Sequence, residues 1–289
     1  MANLSVLMPV YNASRFLEQA VESILQQSYT DFELIVINDG STDNSLEILE
    51  RYSDPRIKLI HNGSNSGIVS SLNCGLNAAS GAYIARMDAD DYSLPDRFKA
   101  QIQFMDLHPD IGVCGTQYRI MDSPRFGVSN TTLPCDPDIV ACSLLINCCL
   151  AHPTVVMRRR VLDQLHGWPY DPNYQYAEDY HLWARLSAIT RIANLNQCYL
   201  HYRYHDQQLS RTKSLEQIWQ ADRIRLDLLN GMGIDPTPEE WALHLNLCHL
   251  RSRGLSEREW TRKIFSRNLL VRRYDQVALM DVLNSVLRG

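Results

Sequence analysis

Three carboxylates, Asp88, Asp90 and Asp91, close the stretch Tyr83-Ile84-Ala85-Arg86-Met87-Asp88-Ala89-Asp90-Asp91, where an apolar run of strand type stops abruptly. Like charges this close repel one another unless a cation or hydrogen-bond donors offset them. Hard oxygen ligands suit Mg2+ or Mn2+, and Mg2+ is usually held by one or two carboxylates together with substrate phosphates. One reading is therefore a divalent cation beside a phosphorylated ligand; the other is a solvated acidic turn capping a helix that begins near Pro95. A second acidic pair, Glu178-Asp179, opens a helix carrying Leu182, Trp183 and Leu186. Carboxylates at a helix start gain about 0.3–1 kcal/mol from the dipole, whereas one aimed into a cleft is a general base. Spacing leaves both roles open. His205 follows the strand Tyr199–Tyr204 and could add an imidazole to the cation, since Mn2+ accepts mixed oxygen and nitrogen donors. His152, where an apolar segment turns polar, is either a structural histidine or part of a site.

These residues need elements to hold them. Short apolar runs at Leu4–Val10, Phe32–Asn38, Ile57–His61 and Tyr83–Met87 read as buried strands. Between them lie helical patterns over about 15–27, a segment with Leu46, Ile48, Leu49 and Tyr52, and one ending near Ala79. Strand and helix alternating this way predict a mostly parallel sheet with helices on both faces, an α/β fold whose ligands bind beyond the carboxyl ends of the strands. Pro9–Asn12, Asp39–Asp43, Asn65–Gly67 and Asp88–Asp91 all fall at such ends, so four polar loops are expected on one rim. That convergence favours the cation–phosphate reading. Neither G-x-G-x-x-G after the first strand nor G-x-x-x-x-G-K-[ST] is present, which argues against dinucleotide and P-loop sites. Further on come a helix near 95–108, a strand at Ile111–Tyr118, and an irregular stretch over 119–136. From about Ser214 the pattern is helical throughout, roughly 214–230, 238–250, 257–269 and 274–287. The expected organisation is a catalytic domain over 1–212 and a helical extension over 213–289.

With 28 Lys and Arg against 33 Asp and Glu, the net charge of −5 argues against general nucleic-acid binding. The eight cysteines form no C-x-x-C pair or short disulfide framework, so a reduced, cytoplasmic setting is expected. No signal-peptide pattern and no membrane-spanning apolar run is read. Residues 250–289 carry nine Arg or Lys against four acids, which suits docking on an anionic membrane face, a solvated helix surface or a homodimer contact.

The blocks Val6-Leu7-Met8-Pro9-Val10-Tyr11-Asn12, Ile37-Asn38-Asp39-Gly40-Ser41-Thr42-Asp43, Asn65-Ser66-Gly67, Met87-Asp88-Ala89-Asp90-Asp91 and Ala177-Glu178-Asp179-Tyr180-His181-Leu182-Trp183 together resemble the family 2 glycosyltransferases, over about residues 3–210. The resemblance implies a GT-A fold and an inverting, metal-dependent transfer of sugar from a nucleoside diphosphate to a hydroxyl of a saccharide or lipid-linked acceptor in cell-surface polysaccharide synthesis. UDP-sugars come first as donors and dTDP-sugars next. By the same resemblance Pro9, Tyr11, Asp39, Asn65 and Gly67 hold the nucleoside end, Asp39 accepting a hydrogen bond from the pyrimidine imide. Asp88 meets the ribose, Asp90 binds Mn2+ or Mg2+ with Asp88 and His205 nearby, and Asp179 is the base beside Glu178. His152 and Trp168 are expected on the acceptor side, Trp168 as a stacking face, with core packing as its alternative. Two rival functions remain: a nucleotidyltransferase acting on sugar phosphates, which would want a Gly-rich basic loop after the first strand, and an inactive saccharide- or nucleotide-binding module.

Overall fold

Along β1 (Leu4–Val10), Leu4, Val6 and Met8 enter one core while Leu7 enters another. On β2 (Phe32–Asp39), Leu34 and Val36 separate in the same way from Ile35 and Ile37. A period of two with both faces buried requires cover on both sides of a sheet. The computed structural model, which describes residues 2–123, 127–206, 208, 212–249 and 254–288, supplies it. Helices α1 (Leu17–Leu25), α2 (Ser45–Glu50) and α4 (Arg97–Leu107) cover one face, and α3 (Ile68–Ala78), α5 (Pro137–Ser143) and α7 (Glu178–Leu186) the other. The short α6 (Arg159–Leu162) follows β8.

The strand order is β3-β2-β1-β4-β8-β6-β9-β5, with β3 (Ile57–Asn62), β4 (Tyr83–Arg86), β5 (Tyr92–Ser93), β6 (Ile111–Ser123), β8 (Val156–Arg158) and β9 (Arg191–Arg203); β7 (Gly127–Asn130) pairs only with β6. The first four strands run parallel. Strand β8 is antiparallel to both β4 and β6, and β9 is parallel to β6. Two reversals restore the original direction, so β6 and β9 end on the same rim as β1 to β4. The acidic loop after β4 and the segment after β9 are neighbours for that reason.

Several expectations shift. The stretch 119–136 was read as irregular; instead β6 continues to Ser123 and turns back through β7. The strand expected at Tyr199–Tyr204 begins at Arg191, because its polar first half pairs in parallel with β6, while β5 meets β9 at Leu200 and His201. After β9, among the described residues, only helices follow: α8 (Ser214–Gly231), α9 (Pro238–Cys248), α10 (Leu255–Val271) and α11 (Gln276–Arg288). Their buried Ile224, Leu229, Trp260 and Leu279 belong to the same apolar cluster as Leu7, Val69 and Trp183. The buried Arg225 of α8 also donates to the Ile146 carbonyl at 2.7 Å and to Asn147 Oδ1 at 2.9 Å. The helical segment is thus welded to the sheet rather than hung from it. Among the described residues, no helix is long and apolar enough to cross a membrane. All eight cysteines are free.

Candidate active site

The rim is laced together by its own loops. Asn12 Oδ1 accepts from the Thr42 N–H at 2.8 Å, and Asp43 Oδ2 from the Ser14 N–H at 3.0 Å. Buried Asp39 accepts the Ser66 N–H, the Ser66 hydroxyl and the Asn62 amide on Oδ1, at 3.0, 3.0 and 2.8 Å, and the Gly67 N–H on Oδ2 at 2.8 Å. Each carboxylate oxygen offers about two acceptor positions; Oδ1 is crowded by three donors, while Oδ2, with one, keeps room for a further donor. Gly67 adopts φ +88°, a left-handed conformation that favours glycine, and Asn65 Oδ1 accepts the same Gly67 N–H at 2.9 Å. Tyr11 stands exposed and Pro9 half-buried at the end of β1.

Beyond Gly67, Ile68 forms one wall of a cavity of about 330 Å³ that also presents Asp88, Asp90, Glu178, Asp179 and His152. The two acidic groups singled out in the sequence therefore face one space. Asp39 lies just outside it, holding the residue that precedes Ile68.

In the acidic loop, oxygens of Asp88, Asp90 and Asp91 lie within 4.8 Å of one another. Asp91 Oδ1 accepts the Arg203 N–H at 2.9 Å, while its buried Oδ2 has no hydrogen-bond partner. Burial, then the charges of Asp88 and Asp90, push its carboxyl well above the ordinary range. An all-oxygen set with an orphaned buried acceptor and mutual repulsion fits a hard divalent cation. Asp90 and Asp88 would hold it, with Asp91 behind them. His205 Nε2 lies 2.8 Å from Asp90 Oδ2, and its ring packs on Phe16 with centroids 5.3 Å apart. Arg203 donates to the Asp90 carbonyl at 3.0 Å and so fixes the loop's backbone.

Arg86, two residues before Asp88, is buried in the cavity wall and forms an ion pair with Asp88. Nη1 is the atom that meets Asp88, while Nε has no hydrogen-bond partner. Burial opposes its charge, but Asp88 more than offsets this and raises its pKa. From α4, the buried Arg97 donates to the Arg86 carbonyl at 2.9 Å and anchors the end of β4.

Tyr176 precedes the second pair in a left-handed conformation, φ +69°, and its carbonyl accepts from Gln217 of α8 at 3.0 Å. The N-cap of α7 is Ala177, which makes no side-chain capping bond. Asp179 Oδ1 takes the Tyr180 N–H at 2.7 Å, so one oxygen serves the first turn. Glu178 is buried with Oε2 unpartnered. Burial pushes its carboxyl up to about 8, with the Asp179 charge adding to the effect; burial raises Asp179 as well, against the Tyr180 N–H and Arg86. Glu178 is thus largely protonated at neutral pH. Because the native pKa lies above the ordinary 4.5, the folded protein binds the extra proton between pH 4.5 and about 8 and loses stability as pH rises through that window. Glu178→Gln should therefore stabilise the protein by on the order of a few kcal/mol at pH 9 and leave it unchanged near pH 4. Thermal melts from pH 4 to 9 test this; parallel curves for the two proteins would refute it.

His152 lines the cavity. Its Nε2 lies 2.9 Å from the Tyr170 hydroxyl, its ring meets Trp183 edge-on, and burial followed by Arg86 holds it neutral. Trp168 is displaced from the expected place. Tyr170 takes the inward position, its backbone clamped to Asn73 at 2.7 and 3.2 Å. Trp168 is instead 56 % exposed on a separate groove of about 420 Å³ along α3, which rules out its packing in the core as well. Several wall residues were not singled out in the sequence, among them Arg86, which was legible only as a charge inside an apolar strand. Cys148 and Gln217 carry no local signal and reach the cavity only through tertiary packing.

An α/β sheet of this order, with helices on both faces and an acidic rim, has the architecture of the GT-A glycosyltransferases, and comparison with known proteins gives the family. The model of glycosyl transferase family 2 matches residues 5–166. An uncharacterized glycosyltransferase of Haemophilus influenzae is 34 % identical over 80 % of this chain and 76 % of its own length. The Escherichia coli UDP-Glc:alpha-D-GlcNAc-diphosphoundecaprenol beta-1,3-glucosyltransferase WfgD is 31 % identical over 75 % of this chain and 83 % of its own. Among solved structures, Staphylococcus aureus TarS residues 1–349 in complex with UDP covers 99 % of this chain and 90 % of that one, at TM-score 0.64 and 19 % identity. The mannosyltransferase PcManGT of Pyrobaculum calidifontis, in complex with GDP-Man and Mn2+, covers 99 % and 86 % at TM-score 0.61 and 16 % identity. The chain belongs to glycosyl transferase family 2 and is a glycosyltransferase.

Proposed function

We propose that the protein moves a sugar from a UDP-sugar, or next a dTDP-sugar, to a hydroxyl of a saccharide or lipid-linked acceptor in polysaccharide synthesis, with inversion. One observation carries this reading: Asp88 and Asp90 from the β4 loop and Glu178 and Asp179 from the start of α7 line one cavity. At its edge Asp39, with one acceptor position spare, meets the pyrimidine imide between Pro9, Tyr11, Asn65 and Gly67. Asp88 holds the ribose and Asp90 the cation, with His205 beside it. Mn2+ or Mg2+ bound there would supply positive charge where the leaving diphosphate accumulates negative charge.

The chain's own groups do the rest. Asp179 accepts the acceptor hydroxyl proton as that oxygen forms its bond to the anomeric carbon. The bond from that carbon to the diphosphate breaks on the opposite face, its electron pair leaving with the phosphate. Protonated Glu178 spares Asp179 a second neighbouring charge, and its unpartnered Oε2 is placed to bond the substrate. Neutral His152 and Tyr170 shape the wall behind. We place the protein in the cytoplasm, with exposed Leu270 and Val277 and the arginines of α10 and α11 towards an anionic inner membrane face.

A thermal-shift screen across nucleotide sugars with Mn2+ tests the donor class. UDP and UDP-sugars should raise the melting temperature by several degrees at about 100 times Kd, where linkage supplies about 2.7 kcal/mol. Purine nucleotides should not, and a screen in which no pyrimidine diphosphate shifts the melt would overturn the assignment.

A further inference from the structure

A second cavity, of about 550 Å³, meets the first at Cys148, Asp179 and Gln217 and is otherwise walled by different residues, among them Ile218 of α8 and His249. We propose that this is the entrance for the acceptor, and that the acceptor is a saccharide diphosphate on a lipid whose apolar chain lies along the first turns of α8. The inference rests on the reading of Asp179 as the base. In a single displacement the entering hydroxyl and the leaving diphosphate sit on opposite faces of the anomeric carbon, so they must reach that carbon from different sides. Asp179 is the carboxylate that the two cavities share.

The wall is built, not incidental. Gln217 holds the Tyr176 carbonyl at 3.0 Å, just ahead of the acidic pair, and Arg225 ties α8 to the 146–147 backbone and side chain. Outward from the cavity, Leu215, Ile218 and Trp219 are 79, 44 and 61 % exposed, three apolar side chains within five residues. Ile218 belongs to both the cavity and the ridge. Cations flank them: the Arg223 guanidinium lies 5.1 Å from the Trp219 ring and 4.6 Å from that of Tyr174, and Lys213, which pairs with Glu216, lies 5.7 Å from the Tyr176 ring. An apolar ridge bordered by cations, opening into a cavity that ends at a base, has the polarity order of a lipid, a diphosphate and a sugar.

The test uses the full chain loaded with UDP and Mn2+, and calorimetric titration with N-acetylglucosamine α-diphosphate esterified to an undecyl or a methyl group. Wild type should bind the undecyl probe at least about tenfold more tightly, as burial of a few methylene groups requires. Leu215→Ser with Trp219→Ser, both on the exposed side of α8, should abolish most of that preference and leave UDP affinity within about twofold. Equal affinity for the two probes, binding of neither, or a preference unchanged in the double variant overturns the proposal. Failure of wild type to bind UDP with Mn2+ would instead overturn the donor-site reading beneath it.

Discussion

Replacing Asp179 by Asn should lower kcat by about 10²–10⁴-fold, the usual range for a positioned general base, and leave UDP binding in the presence of Mn2+ intact. The substitution is nearly isosteric, and the Asn Oδ1 can still accept the Tyr180 N–H that Asp179 accepts at 2.7 Å, so α7 keeps its first turn. What disappears is the proton acceptor. Removing its charge also relieves Glu178, whose raised carboxyl owes part of its shift to Asp179, so Glu178 should titrate lower in the variant. The pH profile adds a second readout. With Asp179 itself raised by burial, wild-type kcat should climb with pH through that group's ionisation, and the variant's residual rate should lose this limb. Steady-state kinetics beside UDP calorimetry separates the two effects; near-normal turnover would remove Asp179 as the base.

Asp90→Ala should abolish the Mn2+ dependence of nucleotide binding, weakening UDP by about 10²-fold or more when measured with the cation and changing little when measured without it. Asp90 is partly exposed, and its side chain contributes charge to a repelling cluster, so its loss costs the apo fold little and relaxes Asp88 and Asp91. His205, 2.8 Å from Asp90, should show a graded effect: His205→Ala ought to weaken Mn2+-dependent binding about 10-fold, in the range of groups that orient a ligand. Calorimetry of UDP with and without Mn2+ measures both. Cation-dependent binding that survives Asp90→Ala would move the cation site elsewhere.

Much of this arrangement could be read before any coordinates. Parallel strands buried on both faces announce themselves as short apolar runs, and the polar residues that end them fall on one rim by topology alone. Asp39, Asp88 and Asp90 were legible for that reason, and Glu178 and Asp179 as an acidic pair opening a helix. The first half of strand β9 was not, because Asn194 and Gln197 break the apolar pattern; Asn194 is nevertheless buried, its amide donating to the carbonyls of Pro134 and Cys149. A polar residue satisfied by distant backbone looks like loop in one dimension. Residues 119–123 and 127–130 were hidden similarly, since strands paired at the sheet's margin need no apolar face. Arg86 was visible only as a strand residue, and its importance comes from burial against Asp88, which no spacing reveals. Trp168 shows the opposite failure: an aromatic beside a catalytic motif invites a role, yet Tyr170 occupies the inward position. Gln217 and Cys148 depend wholly on where α8 docks.

The central claim is that the β4 loop and the start of α7 act on the same diphosphate. Anomalous diffraction from crystals grown with UDP and Mn2+ tests it most directly. The account predicts one manganese peak at about 2.1 Å from an Asp90 oxygen, with the β-phosphate of UDP inside the cavity that Arg86 and Asp179 line. A peak away from the acidic loop, or a β-phosphate outside that cavity, would contradict it.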